Sequence, residues 1–438
     1  MVADMDATEA LRIATSAADF INRQTDGALW RRTDEPGSGT DLTLYHGAAG
    51  IALFMLELGQ ATNRPDYSAR AVLAGRELAD RVTQKLRSSV AFATGWPGYS
   101  FSLRVLSDHA ETDADRAMFR DTARYAMNQL LAQATRFGSG LGWIEPMPFS
   151  DITGQTGERE IYDLSVGSAG AALALLDAHD HALEPGMLES AVSVADRLLD
   201  VVDPTPDGAR WALMADMPFP FTAPNFAHGG AGVGYLMARL YERTNDAKYL
   251  DAAVSAARYT MSRASKVGDG CLVCHTEEQQ PPAFYLGACH GPAGTGRLLG
   301  ILSRLTGDAV WSTYSAQLLD GLRGIGAPAT RSWGWWNNYG QCCGDAGLGD
   351  YALSMWTANR LPDYLELAHD CAAVLAEHVT ETEGIASWPQ AEHRARPKFI
   401  QSQTGYMQGA AGIASFLVHL ATAEWAEPVR IVFPDESL

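Results

Sequence analysis

Residues 225–262 read NFAHGGAGVGYLMARLYERTNDAKYLDAAVSAARYTMS, and this stretch decides the fold. Two glycines, Gly229 and Gly232, lead into VGYLMARLY, where apolar residues recur at three and four. The helix this predicts is apolar over much of its circumference, so it belongs inside the protein. Turn chemistry follows in NDAK. An amphipathic segment, YLDAAVSAARYTMS, then predicts a second helix with one buried face. The unit is inner helix, turn, outer helix.

The same signature recurs along the chain. Glycine-led apolar stretches begin at Gly47, Gly95, Gly167, Gly229, Gly291, Gly344 and Gly409, at spacings of 48, 72, 62, 62, 53 and 65 residues. Periods this long fit a helical-hairpin array rather than short solenoid units. An aromatic stands 20 residues after the first glycine at Tyr67, Tyr249, Trp311 and Tyr364, and Met187 holds the equivalent place after Gly167. The Gly95 unit carries Trp96-Pro97 between its glycines and lacks this marker, and the Gly409 unit runs out near the C-terminus. Seven inner and seven outer helices predict an all-α protein, an α/α toroid. The chain reads as one domain over 1–438, with the polar, proline-containing segment 265–284 as a loop insertion.

Composition sets the outer limits. The chain has 438 residues, with 33 Lys+Arg against 52 Asp+Glu, a net charge of −19. Hydrophobic residues at 47% and charged residues at 19% describe a globular protein with material for a large core. The acidic balance argues against nucleic acid or anionic lipid as a partner, since both call for basic clusters. No apolar run approaches the ~20 residues of a membrane span. The opening MVADMDATEA lacks the charged-then-apolar order of a secretory leader, which predicts a cytoplasmic location. In a reducing cytosol the six cysteines are not a disulfide framework.

Equivalent positions of a toroid converge at one end, where loops carry function. The pairs preceding each first glycine are Tyr45-His46, Ala93-Thr94, Ser165-Val166, Ala227-His228, Cys289-His290, Cys342-Cys343 and Met407-Gln408. Three of the cysteines therefore share one register. A cysteine in a helical protein is usually a small buried hydrophobe. The shared slot of Cys289 and Cys342 points instead to a metal: Cys289, Cys342 and Cys343 are a three-thiolate zinc set whose open fourth position marks a catalytic site.

The segments YDLSVGSAG (162–170), NFAHGGAG (225–232), ACHGPAG (288–294) and QCCGDAG (341–347) resemble the lanthionine synthetase C-like cyclases. The resemblance spans nearly the whole chain. It implies an α/α toroid with zinc, in which a peptide cysteine adds to dehydroalanine or dehydrobutyrine to form a thioether ring. It implies that Cys289, Cys342 and Cys343 hold the zinc, and it maps the family's histidine onto His228 and its aspartate onto Asp163. Three departures stand out. The usual Cys-His pair is Cys342-Cys343, His290 replaces an aromatic, and Tyr285 stands where an arginine is expected.

The resemblance implies a mechanism. A free thiol has a pKa near ~8.5 and needs activation at neutral pH. Attack on the β-carbon creates an enolate that needs a general acid. His228 is the expected acid or base, Asp163 its orienting partner, and His290 a second candidate. The implied partners are a dehydrated precursor peptide and separate dehydratase or kinase/lyase enzymes. Alternatives are addition of a small thiol such as glutathione, a non-catalytic zinc scaffold, or an α/α-barrel carbohydrate enzyme, for which paired carboxylates are missing. Cys271-x-x-Cys274-His275 imitates a haem attachment site but reads better as a loop pair, redox-active or metal-binding. Trp333, Trp335 and Trp336 are candidates for the wall of a peptide groove.

Overall fold

Each glycine pair marks a place where a loop carbonyl lies against the first turn of a helix. A Cβ on Gly294 would sit 2.0 Å from the Ala288 carbonyl oxygen, and one on Gly291 would sit 2.4 Å from that of Tyr285. Equivalent contacts recur at Gly232, 1.9 Å from the Phe226 oxygen, and at Gly347, 1.9 Å from the Gln341 oxygen. No residue with a side chain fits these places without moving backbone. The approach also caps the helix. The first helical N–H donates to the carbonyl seven residues earlier at Ser168 (to Ile161, 2.9 Å), Asp345 (to Asn338, 2.9 Å) and Ala410 (to Gln403, 2.8 Å).

The computed structural model describes residues 5–34, 37–148, 150–331 and 335–436. Apart from one short turn of helix at Ser150–Thr153, the described residues hold fourteen helices. They are α1 (Ala7–Asn22), α2 (Ala48–Thr62), α3 (Pro65–Thr83), α4 (Trp96–Asp108), α5 (Asp113–Ala132), α6 (Ser168–Asp180) and α7 (Met187–Asp200). The remainder are α8 (Gly230–Thr244), α9 (Ala247–Ser262), α10 (Pro292–Thr306), α11 (Ala309–Gly324), α12 (Asp345–Asn359), α13 (Pro362–His378) and α14 (Ala410–Thr422). Seven start at the glycine signature and are the inner helices: α2, α4, α6, α8, α10, α12 and α14. The offset aromatics Tyr67, Tyr249, Trp311 and Tyr364 lie in the first turn of outer helices and are all buried.

The helices group into two compact units. One comprises residues 1–86, 98–126 and 337–432, and the other 87–97, 127–336 and 433–438. In the first, α14 packs against both α2 and α12. Its outer partner is α1, from the opposite end of the chain. The Gly409 unit thus finds its second helix at the N-terminus, and the seven pairs are complete. In the second unit, α8 packs against both α6 and α10.

Among the described residues short antiparallel hairpins follow five of the seven outer helices, and the all-α reading did not include them. A buried tryptophan closes three of them onto the helix before. Its indole N–H donates to a main-chain carbonyl: Trp143 to Leu130, Trp211 to Leu198 and Trp388 to Leu375, at 2.8–2.9 Å. The hairpins also dock on the next outer helix. A Cβ on Gly140 would meet the Ser193 oxygen at 2.0 Å, and one on Gly208 the Ser255 oxygen at 2.2 Å. Within the polar segment 265–284, Ala264–Val267 and Gly270–Val273 form this same hairpin, so that part is a repeat element. Residues 274–283 carry the chain onward.

A buried ion triad joins three inner helices of the first unit. His419 on α14 places Nδ1 2.7 Å from Asp350 Oδ1 on α12 and Nε2 2.8 Å from Glu57 Oε1 on α2. All three side chains are at most 3% exposed. Only an imidazolium donates from both nitrogens. Burial pushes the His419 pKa down, but Asp350 and Glu57 outweigh it and carry it up to about 10. His419→Leu leaves two buried carboxylates without their cation, a change that costs about 3–5 kcal/mol. The triad's contribution is fully present below the unfolded histidine value near ~6.5 and is lost as pH rises through the folded value. Urea midpoints of the wild type therefore fall between neutral pH and about pH 10 by more than those of His419→Leu. Parallel curves would show the triad is not charged.

Candidate functional site

The slot residues before the glycines are neighbours through their backbones. In one unit the Ser165 N–H donates to the Ala227 carbonyl at 3.0 Å, and the Ala227 N–H to the Cys289 carbonyl at 2.7 Å. In the other, the Cys342 N–H donates to Met407 at 2.9 Å and the Met407 N–H to Tyr45 at 3.1 Å. Residues sixty or more positions apart in sequence are thereby set side by side. The register found in the sequence is an address in space.

Asp163 and His228 occupy adjacent addresses. Asp163 is 1% exposed, and its Oδ1 accepts the Val166 N–H at 2.8 Å, which fixes the carboxylate. Its Oδ2 lies 2.6 Å from His228 Nδ1. A carboxylate accepts, so Nδ1 carries the proton and Nε2 is left as the atom that takes up or releases one. The His228 side chain is 11% exposed, enough to meet a ligand.

His290 lies beside this pair, its ring centroid 5.0 Å from that of His228. Burial pushes its pKa well below the ordinary histidine range, and the neighbouring His275 and His228 push it further. It is therefore neutral near pH 7. Its Nδ1 is buried and, among the described residues, has no hydrogen-bond partner. Tyr285, at the position of the expected arginine, sets its ring 5.4 Å from His290. Two short strands place it there: Phe284–Tyr285 pair in parallel with Trp335–Trp336.

His275 also belongs to this group, which sequence reasoning missed. Its ring stacks on Tyr285 at 4.2 Å with an interplanar angle of 12°, and it meets His290 edge-on at 4.3 Å. The loop is fixed by Asn225, whose Nδ2 donates to the Cys274 carbonyl at 2.6 Å. The CxxCH spacing drew attention to the thiols and not to the imidazole. Burial pushes both thiols up, that of Cys274 to about 11, which disfavours the thiolate that redox or metal chemistry uses.

Cys289, Cys342 and Cys343 place their sulfurs within 4.8 Å of one another, close enough to hold one metal ion. The Cys342 and Cys343 sulfurs are 3.5 Å apart. Three sulfurs at this separation suit a soft tetrahedral ion. Tyr45 stands near the cysteine pair. Burial raises its pKa well above the ordinary tyrosine value, and the charges of Cys342, Glu392 and Cys343 raise it further. Its hydroxyl oxygen accepts from Gln408 Nε2 at 3.3 Å. His46 tilts against Tyr45, ring to ring at 4.4 Å. Of the tryptophans, Trp336 is half-buried, and Trp333 lies outside the described residues.

No helix among the described residues is long and apolar enough to cross a membrane. No curated protein sequence matches the chain. Among solved structures the chain is similar to nisin cyclase, with 13% identity over 95% of this chain and 94% of that one and a TM-score of 0.64. It also aligns with the α-1,6-mannanase GH76A of Salegentibacter sp. HEL1_6, at 11% identity, 96% and 99% coverage and a TM-score of 0.48. The nisin cyclase likeness bears on fold, and it agrees with the α/α toroid that the glycine repeat predicts. The family described as lanthionine synthetase C-like protein matches residues 38–429, which takes in every inner helix and every slot, and the chain belongs to it.

Proposed function

We propose that the protein is a zinc-dependent cyclase that adds peptide cysteine thiols to dehydroalanine or dehydrobutyrine, forming thioether rings. The observation that carries this reading is the donor set: three thiols in one cluster, with a carboxylate-held histidine and a buried neutral histidine at adjacent slots. Family membership and the nisin cyclase fold support it. Cys289, Cys342 and Cys343 would hold the zinc. When bound there, zinc favours the thiolate form of a thiol entering its open position.

The protein's own residues manage the proton. His228 Nε2 accepts the proton of the entering thiol, and Asp163 stabilises the imidazolium that results. The sulfur forms a bond to the β-carbon, and the π electrons move to the α-carbon and its carbonyl as an enolate. His228 returns the proton to the α-carbon. The addition is isomeric, with nothing oxidised or reduced. His290 and Tyr285 face the enolate in place of the cationic residue expected there, His290 as a neutral imidazole. A dehydrated peptide is the substrate in this reading, so a separate dehydratase precedes the enzyme.

The expected metal content is about one zinc per chain for protein purified without added metal. Cys342→Ser should lose it while keeping its helical circular dichroism. Folded wild-type protein without zinc would overturn the metal assignment. Activity is read by thiol alkylation, because ring closure leaves peptide mass unchanged but removes the free thiol. His228→Asn should slow ring closure by about 10²–10³-fold. Asp163→Asn, which frees the imidazole to rotate, should slow it by about 10–100-fold. Both variants should retain zinc. Wild-type turnover in His228→Asn would remove His228 from the chemistry, and absence of ring closure by the zinc-loaded wild type would leave the protein as a zinc-bearing scaffold.

A further inference from the structure

The segment Met217-Pro218-Phe219-Pro220-Phe221 is the most apolar stretch of irregular chain near the site. Its two prolines fix their own φ near about −65° and hold the residues before them extended. Side chains then alternate. Met217, Phe219 and Phe221 are half-buried, while Asp216, Pro218 and Pro220 are exposed. Together with Val166 they lean on a small buried cluster of Met147, Ile161, Leu213 and Met214.

Both ends of this strip reach the candidate site. At one end Val166 is a slot residue whose N–H is held by Asp163. At the other, Phe221 sits edge-on to Phe219 at 6.5 Å and to His275 at 6.4 Å. His275 in turn meets His290, and His290 meets His228. Ring contacts thus link the half-buried phenylalanines to the Asp163–His228 pair through His275 and the buried His290. The loop is tied down just beyond Phe221: the Glu277 N–H donates to the Thr222 carbonyl, and the Thr222 N–H to the Glu278 carboxylate, both at 3.0 Å. A pre-organised strip of four large apolar side chains left half-open beside polar catalytic groups is a recognition feature, since closing it would gain burial.

We propose that Val166, Met217, Phe219 and Phe221 form a subsite for an aromatic or branched aliphatic side chain of the peptide, flanking its reacting residue. This rests on the cyclase reading for the identity of the peptide. The subsite selects for apolar flanking residues and holds the peptide beside the Asp163–His228 pair. Asp216, exposed on the same loop, disfavours acidic flanks.

The test uses unreactive probes, so that binding is separated from chemistry. Two fluorescein-labelled hexapeptides, Gly-Phe-Cys-Phe-Ala-Gly and Gly-Ser-Cys-Ser-Ala-Gly, are titrated with the purified zinc-loaded protein and followed by anisotropy. The phenylalanine peptide should bind at least about tenfold more tightly, as burial of one aromatic ring requires. Phe219→Ser should abolish the preference without changing zinc content or circular dichroism. Met217→Ser should reduce it. Equal binding of the two peptides, no binding of either, or a preference retained in both variants overturns the proposal. Failure of the cyclase reading shows separately, as no loss of free thiol from a dehydrated peptide that the protein binds.

Discussion

Everything in this fold that bears on function depends on backbone meeting backbone without a Cβ between. A loop carbonyl reaches the first turn of each inner helix only where glycine leaves room, as at Gly232, Gly294 and Gly347. That contact does two things at once. It satisfies an orphan N–H at the helix start, and it fixes the two residues before the glycine in one orientation. The slot amides then bond to one another, Ser165 to Ala227 to Cys289, and Cys342 to Met407 to Tyr45. Side chains on these loops inherit a spacing set by the backbone.

This separates fold from chemistry. The helices supply burial and the glycines supply approach, while the slot side chains vary freely from Ala227 to Cys289 to Met407. A side chain of new chemistry is installed by one substitution in a loop whose geometry is already determined. The environments of the imidazoles differ for the same reason. His228 faces the anchored carboxylate of Asp163, whereas His290, one slot further on, meets the rings of His228, His275 and Tyr285, and burial keeps it neutral. Two histidines at neighbouring addresses thereby acquire different surroundings.

The legible part of the structure was the part with a period. The glycine pairs, the apolar stretches and the offset aromatics recur, and each recurrence has a steric or burial cause that acts locally. The helix that completes the seventh pair has no such signature. α1 carries no glycine pair, and only its packing on α14 makes it the outer partner of the Gly409 helix. The tryptophan-closed hairpins were missed because their strands are three residues long, too short for alternation to register. The shared G-x-x-W of Gly140–Trp143 and Gly208–Trp211 was the available signal.

The sequence by itself determined the helical repeat and the register of Cys289, Cys342 and Cys343, because glycine spacing and donor type are properties of the chain; the candidacy of Asp163 and His228 came from the family resemblance of their segments. Only the tertiary structure decided that Asp163 anchors His228 across 65 residues, that His275 joins His290 and Tyr285, and that Phe219 and Phe221 lead to them. Those contacts arise where loops of different repeats meet. Loop-to-loop distance follows from how the helices pack, and that information is held by the whole core rather than by any one segment.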